Sequence, residues 1–272
     1  MKIISTLHNH STLCDGKSTL PEMAAAAVKL GFTDLGFSGH SHASFDLAYS
    51  IKSEADYVRA VGDVRREFAD RLRIWCGIEQ DYYAPVVDRR NFDYLIGSVH
   101  CMRDERLGKY IYVDGSSQEF ADDVKRVFSG DAIAFAARYY EFVGDMAERD
   151  RPDIIGHFDL VTKNNADGRF FDEENAGYRA CALDALLRCA RTGAVFELNT
   201  GAMARGYRDT PYPARFLIKR LLELRAPVTL SSDCHDASKL VFGLLEAAEL
   251  LKDVGFRTVQ VWENGAFVTK EL

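Results

Sequence analysis

All seven histidines of this chain, His8, His10, His40, His42, His100, His157 and His235, lie at or just beyond the end of a segment with β-strand character. Ile3 to Leu7 leads into His8-Asn9-His10, Phe32 to Ser38 into His40 and His42, and Phe92 to Val99 into His100. Asp153 to Gly156 leads into His157, and Val228 to Ser231 into Asp233 and His235. None falls within a helical stretch, whereas histidines placed by solvation or packing alone would be scattered over all kinds of element. A fold that gathers the ends of many strands at one place is therefore required. Residues i and i+2 of a strand share a face, so His8 and His10 present two imidazoles together, a donor pair suited to a borderline divalent metal.

Between the strand-like segments lie helical ones. Ser18 or Thr19 caps a helix with Pro21 in its first turn, and Gly31 closes it. Ser53 caps a helix running to Ala69, and Arg73 to Ile78 is a strand closing on Glu79. Ser116 to Phe128 and Asp131 to Arg149 read as helices inserted between His100 and His157. Further helices are expected at Asp172 to Arg191, Tyr212 to Leu224 and Lys239 to Val254. Further strands are expected at Ala194 to Leu198, Pro227 to Ser231 and Thr258 to Val261. This alternation implies an α/β fold with a largely parallel sheet. Seven or eight strand–helix units, each with polar residues at the strand's C-terminal end, point to a closed barrel. An open doubly wound sheet would concentrate its site at one switch point.

The strand-end residues able to bind metal are His8, His10, Asp15, His40, Glu79, His100, His157, Asp233 and His235. At roughly three to four protein ligands per catalytic ion, these nine suit two or three divalent ions. Zinc, manganese and iron all accept such donors. Glu79, on a strand whose neighbours both carry ligands, is the expected bridge. A chain of 272 residues with 47% hydrophobic and 28% charged content can bury a sizeable core. Its net charge of −7 argues against a nucleic-acid surface but not against an anionic substrate at a metal centre. Six cysteines without a Cys-x-x-Cys pair fit a reducing, cytoplasmic setting. No apolar run approaches the ~18 residues of a membrane span. With no linker or repeat, residues 1–272 are expected to form a single domain, and the sequence is silent on oligomeric state.

The ordered pattern His8-x-His10, Gly39-His40, Gly77-Ile-Glu79, Gly97-Ser-Val-His100, Gly156-His157 and Ser232-Asp233-Cys-His235 resembles the PHP (polymerase and histidinol phosphatase) family. The long segment between His100 and His157 resembles its histidinol-phosphate phosphatase branch, as do Glu197-Leu-Asn-Thr-Gly and Tyr212-Pro213. The resemblance implies a distorted (β/α)7 TIM-like barrel, with the helical insertion between the fourth and fifth strands and a trinuclear site. By it His8, His10, Glu79 and Asp233 hold one ion, Glu79, His100 and His157 a second, and Asp15, His40 and His235 a third. It implies hydrolysis of L-histidinol phosphate, in histidine biosynthesis, by a hydroxide bridging two ions. Another phosphate ester (a nucleotide, sugar phosphate or phosphotyrosine) is the alternative substrate, and a non-catalytic metal-binding module the alternative class.

Metal-assisted phosphoryl chemistry needs cations beyond the metals, since a guanidinium grips phosphate oxygens bidentately. Arg205, Arg208 and Lys163 are the candidates in that order. With Glu79 and Asp233 at the metals, His42, the histidine outside the ligand set, is expected to bind phosphate or protonate the leaving alkoxide. Cys14, Cys101 and Cys234, each next to a ligand, read as small buried fillers. The aromatics Phe128, Phe135, Tyr139, Tyr140 and Phe142 read as packing of the inserted helices.

Overall fold

The computed structural model describes residues 2–106 and 108–272; Met1, the first residue of the expected domain span, lies outside them. The elements in order are β1 Ser5–Thr6, α1 Leu20–Leu30, β2 Asp34–Phe37, α2 Glu54–Glu67, β3 Arg73–Asp81 and β4 Tyr94–Ser98. Then come β5 Cys101–Asp104, β6 Lys109–Tyr112, α3 Ser117–Val127, α4 Ala132–Asp150, β7 Ile154–Ile155, α5 Ala176–Ala190 and β8 Val195–Asn199. The chain ends with α6 Gly201–Ala204, α7 Arg215–Leu224, β9 Val228–Ser231, α8 Leu244–Val254, β10 Thr258–Glu263 and β11 Ala266–Glu271.

One nine-stranded sheet runs in the order β1-β2-β3-β4-β7-β8-β9-β10-β11, parallel throughout except for the final β10–β11 pair. The sheet curls so that its first strand meets β9, with β10 and β11 continuing beyond, and the residues just past β1 and β9 pair at Asn9 and Cys234. There the His10 amide donates to the Cys234 carbonyl (2.8 Å) and the Cys234 amide to the His8 carbonyl (3.2 Å). These bonds bring the first and seventh parallel strands together at their C-terminal ends, as a seven-stranded barrel requires.

Local chemistry explains most boundaries. Thr19 and Glu22 form a reciprocal capping box at α1, and Gly31 ends it in the left-handed region (φ 76°). Ser53 caps α2 and Ser116 caps α3. Three helices start later than the sequence suggests. Asn175, not Asp172, caps α5. Tyr212 exchanges backbone hydrogen bonds with Asn199, so α7 begins only at Arg215. Gly243, at φ 70°, separates α8 from the turn at Lys239.

Two hairpins were not foreseen. The insertion opens with the antiparallel β5–β6 pair before its two helices. The last strand folds back through Asn264 and Gly265, both at positive φ. An Asn-Gly pair between alternating residues is itself a strong hairpin signal.

The lower half of the barrel is plugged by Tyr94. Its hydroxyl donates to the carbonyls of Leu7 and Phe37 on the other side of the sheet, and it packs with Leu7, Ile96, Ile154 and Trp262. Glycine is needed where this ring passes. A Cβ at Gly36 would stand 2.1 Å from the Tyr94 hydroxyl, and one at Gly77 2.1 Å from its Cζ. Outside the barrel, α1 and α2 cover one side with a core around Met23, Phe37 and Tyr57. The inserted helices join α5, α7 and α8 in a larger core that buries Phe135, Tyr139, Tyr140 and Phe142. The interior above Tyr94 is left for polar side chains.

Candidate metal centre

At the C-terminal ends of the strands the structure brings together all nine expected ligands. Six strands deliver them: His8, His10 and Asp15 follow β1, His40 follows β2, His100 β4, His157 β7, and Asp233 and His235 β9, while β3 itself carries the carboxylate at their centre. Glu79 is fully buried, and its two oxygens face different partners. Oε1 lies 2.9 Å from His157 Nε2 and 3.4 Å from His100 Nε2. Oε2 lies 3.2 Å from His8 Nε2, 3.4 Å from His10 Nε2 and 3.0 Å from His40 Nδ1. Asp233 Oδ1 joins the second group, 3.3 Å from His10 Nε2 and 3.7 Å from His8 Nε2. A third group forms at the mouth, where Asp15 approaches His10 Nδ1 (3.5 Å), His40 Nε2 (3.6 Å) and His235 Nε2 (3.3 Å).

These donors fit divalent ions. His8 Nε2, His10 Nε2, His40 Nδ1 and Glu79 Oε2 are buried, close together, and still without a hydrogen-bond partner. Glu79 Oε2 stands 3.0–3.4 Å from the three ring nitrogens, yet none of these contacts makes a hydrogen bond. A buried unpaired polar atom is costly, and four in one place make sense only if something else satisfies them. The groupings His8–His10–Asp233, His8–Glu79–His157, His40–Glu79–His100 and His10–Asp15–His40–His235 each offer three or more ligand atoms within 4.8 Å of one another.

The electrostatics agree. Burial opposes ionisation of Glu79, yet the rings of His8, His40 and His100 hold its carboxyl well below the usual carboxylate range. Burial likewise opposes ionisation of Asp233, which Arg205 and His8 hold well below that range. Burial, reinforced by His235 and His40, pushes His10 down to about 3, so that ring is neutral and its lone pair is available. Against the cost of burial, Glu79 and Asp15 raise His40 to about 9. A cation entering there must displace a proton.

A second layer orients the ligands, and sequence reading assigned it no role. Glu197 on β8 accepts from His8 Nδ1 (2.9 Å), the His157 amide (2.6 Å) and Asn199 Nδ2 (2.8 Å). Asp81 on β3 lies 3.2 Å from His100 Nδ1 and accepts from the His100 amide. Ser98 donates to Glu79 Oε1 (2.7 Å). Carboxylates behind metal-ligating histidines set the tautomer and ring angle. The signal was present in strand periodicity, because Asp81 stands two residues from Glu79 and shares its face.

The cluster opens into a cavity of about 170 Å³ walled by Asp114, Leu160, Lys163, Arg205, Tyr207 and Tyr212 above the ligands. Arg205 donates to Asp233 Oδ2 (3.0 Å) and stands 3.0 Å from His235 Nδ1, which is itself 2.9 Å from the Asp233 carbonyl. Lys163 donates to the Asp114 carbonyl (2.5 Å) under the Tyr207 ring. The other two expected residues fall elsewhere. Arg208 is engaged with Thr162 and lines two wider grooves, of about 580 and 940 Å³, that contain no metal ligand. His42 is exposed, its Nδ1 3.0 Å from the Ile51 carbonyl, and it does not line the cavity.

The architecture and site thus define a TIM-like (β/α) barrel with a cluster of histidine and carboxylate donors, able to hold metal ions, at the C-terminal ends of its strands. The chain belongs to the PHP family, whose domain model matches residues 6–201. It is 29% identical over 264 residues to "Probable histidinol-phosphatase" of Deinococcus radiodurans, covering 93% of this chain and 94% of that one. It is 24% identical over 254 residues to histidinol-phosphatase of Bacillus subtilis, covering 85% and 92%. A solved histidinol phosphate phosphatase of Lactococcus lactis, complexed with zinc, L-histidinol and phosphate, superposes with a TM-score of 0.71 at 20% identity, covering 97% and 98%.

Proposed function

We propose that this protein is a metal-dependent phosphomonoesterase that hydrolyses L-histidinol phosphate to L-histidinol and phosphate. The observation that carries the reading is Glu79, whose two buried oxygens face two separate sets of imidazoles below an open cavity with a guanidinium in its wall. Relatives that span almost the whole chain bear the name histidinol-phosphatase, and the Lactococcus lactis structure holds zinc, histidinol and phosphate.

In this reading His8, His10, Glu79 and Asp233 hold one ion, Glu79, His100 and His157 a second, and Asp15, His40 and His235 a third. Divalent ions bound there supply positive charge against phosphoryl oxygens and acidify water at neutral pH. Zinc is supported by the relative's complex, and manganese and iron suit the same donors. Arg205 keeps N–H groups free beyond its bonds to Asp233 and offers them to a phosphate in the cavity, with Lys163 beside it. Arg208 and His42, which line no part of that cavity, are not assigned to the substrate. The single sheet drawing strands from Ser5 to Glu271 supports one domain. Six cysteines outside any disulfide support a cytoplasmic location, and no helix among the described residues is long and apolar enough to cross a membrane.

The test is phosphate release by protein reconstituted separately with zinc and with manganese. The panel is L-histidinol phosphate, AMP, a 3′,5′-bisphosphate, phosphotyrosine and a hexose phosphate. The expected result is a kcat/KM for L-histidinol phosphate at least about a hundredfold above the others. Comparable activity on all five would leave the phosphatase and remove the substrate assignment. Full metal loading with no turnover would leave only a metal-binding module.

A further inference from the structure

Beside the metal cavity lies a second pocket, of about 210 Å³, that shares Asp15, His40, His100 and Asp114 with it. Its remaining walls are Asp46 and Tyr49, from the loop after β2, and Tyr112, at the end of β6. None of these walls is a metal ligand. A molecule seated with its phosphate at the metals can reach into this pocket without leaving the protein.

The polar groups on those walls are almost all acceptors. Asp46 Oδ2 accepts from the Tyr112 hydroxyl (2.7 Å) and Oδ1 from the Ala48 amide (3.0 Å), which fixes the carboxylate while leaving lone pairs open. The Asp114 carboxylate has only a loose pairing with Lys163, at 3.7 Å. The Tyr49 hydroxyl is buried and has no hydrogen-bond partner, and its ring stands edge-on to His40 at 5.1 Å. A rigid aromatic slot with two carboxylates and an unpaired hydroxyl suits a ligand that only donates. A primary ammonium is such a group, with three donors and no acceptor. A phosphate or second carboxylate would meet two negative charges here.

We infer that this pocket holds the alcohol half of the substrate, and that Asp114 and Asp46, with Tyr49 and Tyr112, select phosphate esters of short alcohols carrying a protonated amine. The inference rests on the phosphatase reading above and assigns its specificity to named residues. It also gives the insertion a purpose: Tyr112 and Asp114 follow directly from the β5–β6 hairpin. That hairpin is braced against the β2 loop by the stacked rings of Phe45 and Tyr110, 4.0 Å apart. The two walls of the pocket are thereby held as one unit.

The experiment compares two substrates within each preparation: L-histidinol phosphate and its des-amino analogue, 3-(imidazol-4-yl)propyl phosphate. Because the ratio of their kcat/KM values is taken on one enzyme sample, differences in metal loading cancel. Wild-type protein is expected to favour the amine about ten- to a hundredfold. D114N and D46N are expected to shrink that ratio toward one, and Y49F to shrink it less. If wild-type protein hydrolyses histidinol phosphate with the expected preference but both Asn variants keep the full ratio, the pocket assignment is wrong. A wild-type ratio near one on an active enzyme overturns it as well. If wild-type protein does not hydrolyse histidinol phosphate at all, it is the phosphatase reading that fails first.

Discussion

Glu79 and Glu197 illustrate how one residue type acquires two tasks. Both are buried carboxylates, on β3 and β8, but Glu79 turns its oxygens to the ring nitrogens that face the cavity, and Glu197 to the far nitrogen of His8. Glu79→Gln replaces an ionised bridge with an amide that has one acceptor, opposite five imidazoles. We expect loss of bound metal, read by plasma mass spectrometry, and a fall in kcat on the order of a thousandfold or more. Glu197→Gln keeps an acceptor for the His157 amide but replaces the charged acceptor behind His8 Nδ1 with an amide N–H donor. It should cost about ten- to a hundredfold in metal affinity or activity. Equal effects of the two substitutions would contradict the separate roles. The ligands themselves were legible because histidine and carboxylate at strand ends are chemically restrictive. The residues behind them carry less signal: Asp81 shares a strand face with Glu79, but Glu197 looks like any acidic residue until a partner strand supplies the imidazole. His42 shows the converse: as the histidine outside the ligand set it suggested chemistry, and the structure places its exposed ring beside the Ile51 carbonyl.

The strands are held at their lower ends by polar anchors as much as by packing. Asp34, at the start of β2, is fully buried and accepts from Arg73 Nε (2.9 Å) and Nη2 (2.6 Å), Trp75 Nε1 (2.9 Å), Thr33 Oγ1 (2.8 Å) and the Asn264 amide (3.3 Å). It ties β2 to β3 and to the turn of the terminal hairpin. Burial opposes its ionisation, but the bonds from Arg73, Trp75 and Thr33 hold its pKa below the usual value. A carboxylate whose pKa is lower folded than unfolded contributes stability above the unfolded value, ~3.9, and loses it as pH falls through the folded value. Asp34→Asn should therefore destabilise by about 1–3 kcal/mol at pH 7, with the gap narrowing below about pH 4. Urea unfolding of both proteins in chelator at pH 7, 5 and 3.5 measures it, and a gap that does not change with pH would contradict the role given to the charge. Element order was readable from capping residues and apolar runs. The β5–β6 and β10–β11 hairpins were not read, because their strands are short and partly exposed, without a long apolar run to mark them.

For the molecule as a whole, the barrel stacks an apolar plug around Tyr94 beneath a polar layer of imidazoles and carboxylates whose donors are grouped so that they could hold cations. Ions that bind the folded chain alone stabilise it by mass action, about 2.7 kcal/mol at a hundred times Kd. For a chain of this size that corresponds to a rise in Tm of about 5–10 °C. Calorimetry of protein stripped with chelator, then titrated with zinc or manganese, should show that rise, and an unchanged Tm would deny the metals their place in the fold. What was determined along the chain was the chemistry of the donors, their sequence order and the alternation of elements. These depend on side-chain type, strand period and local capping, all set within a few residues. Which donors share a carboxylate oxygen, which arginine reaches the cavity, and which carboxylates line the side pocket depend on strand register and loop path. Those follow from contacts between residues far apart in the chain: Glu79 against His157, Arg205 against Asp233, and Asp46 against Tyr112.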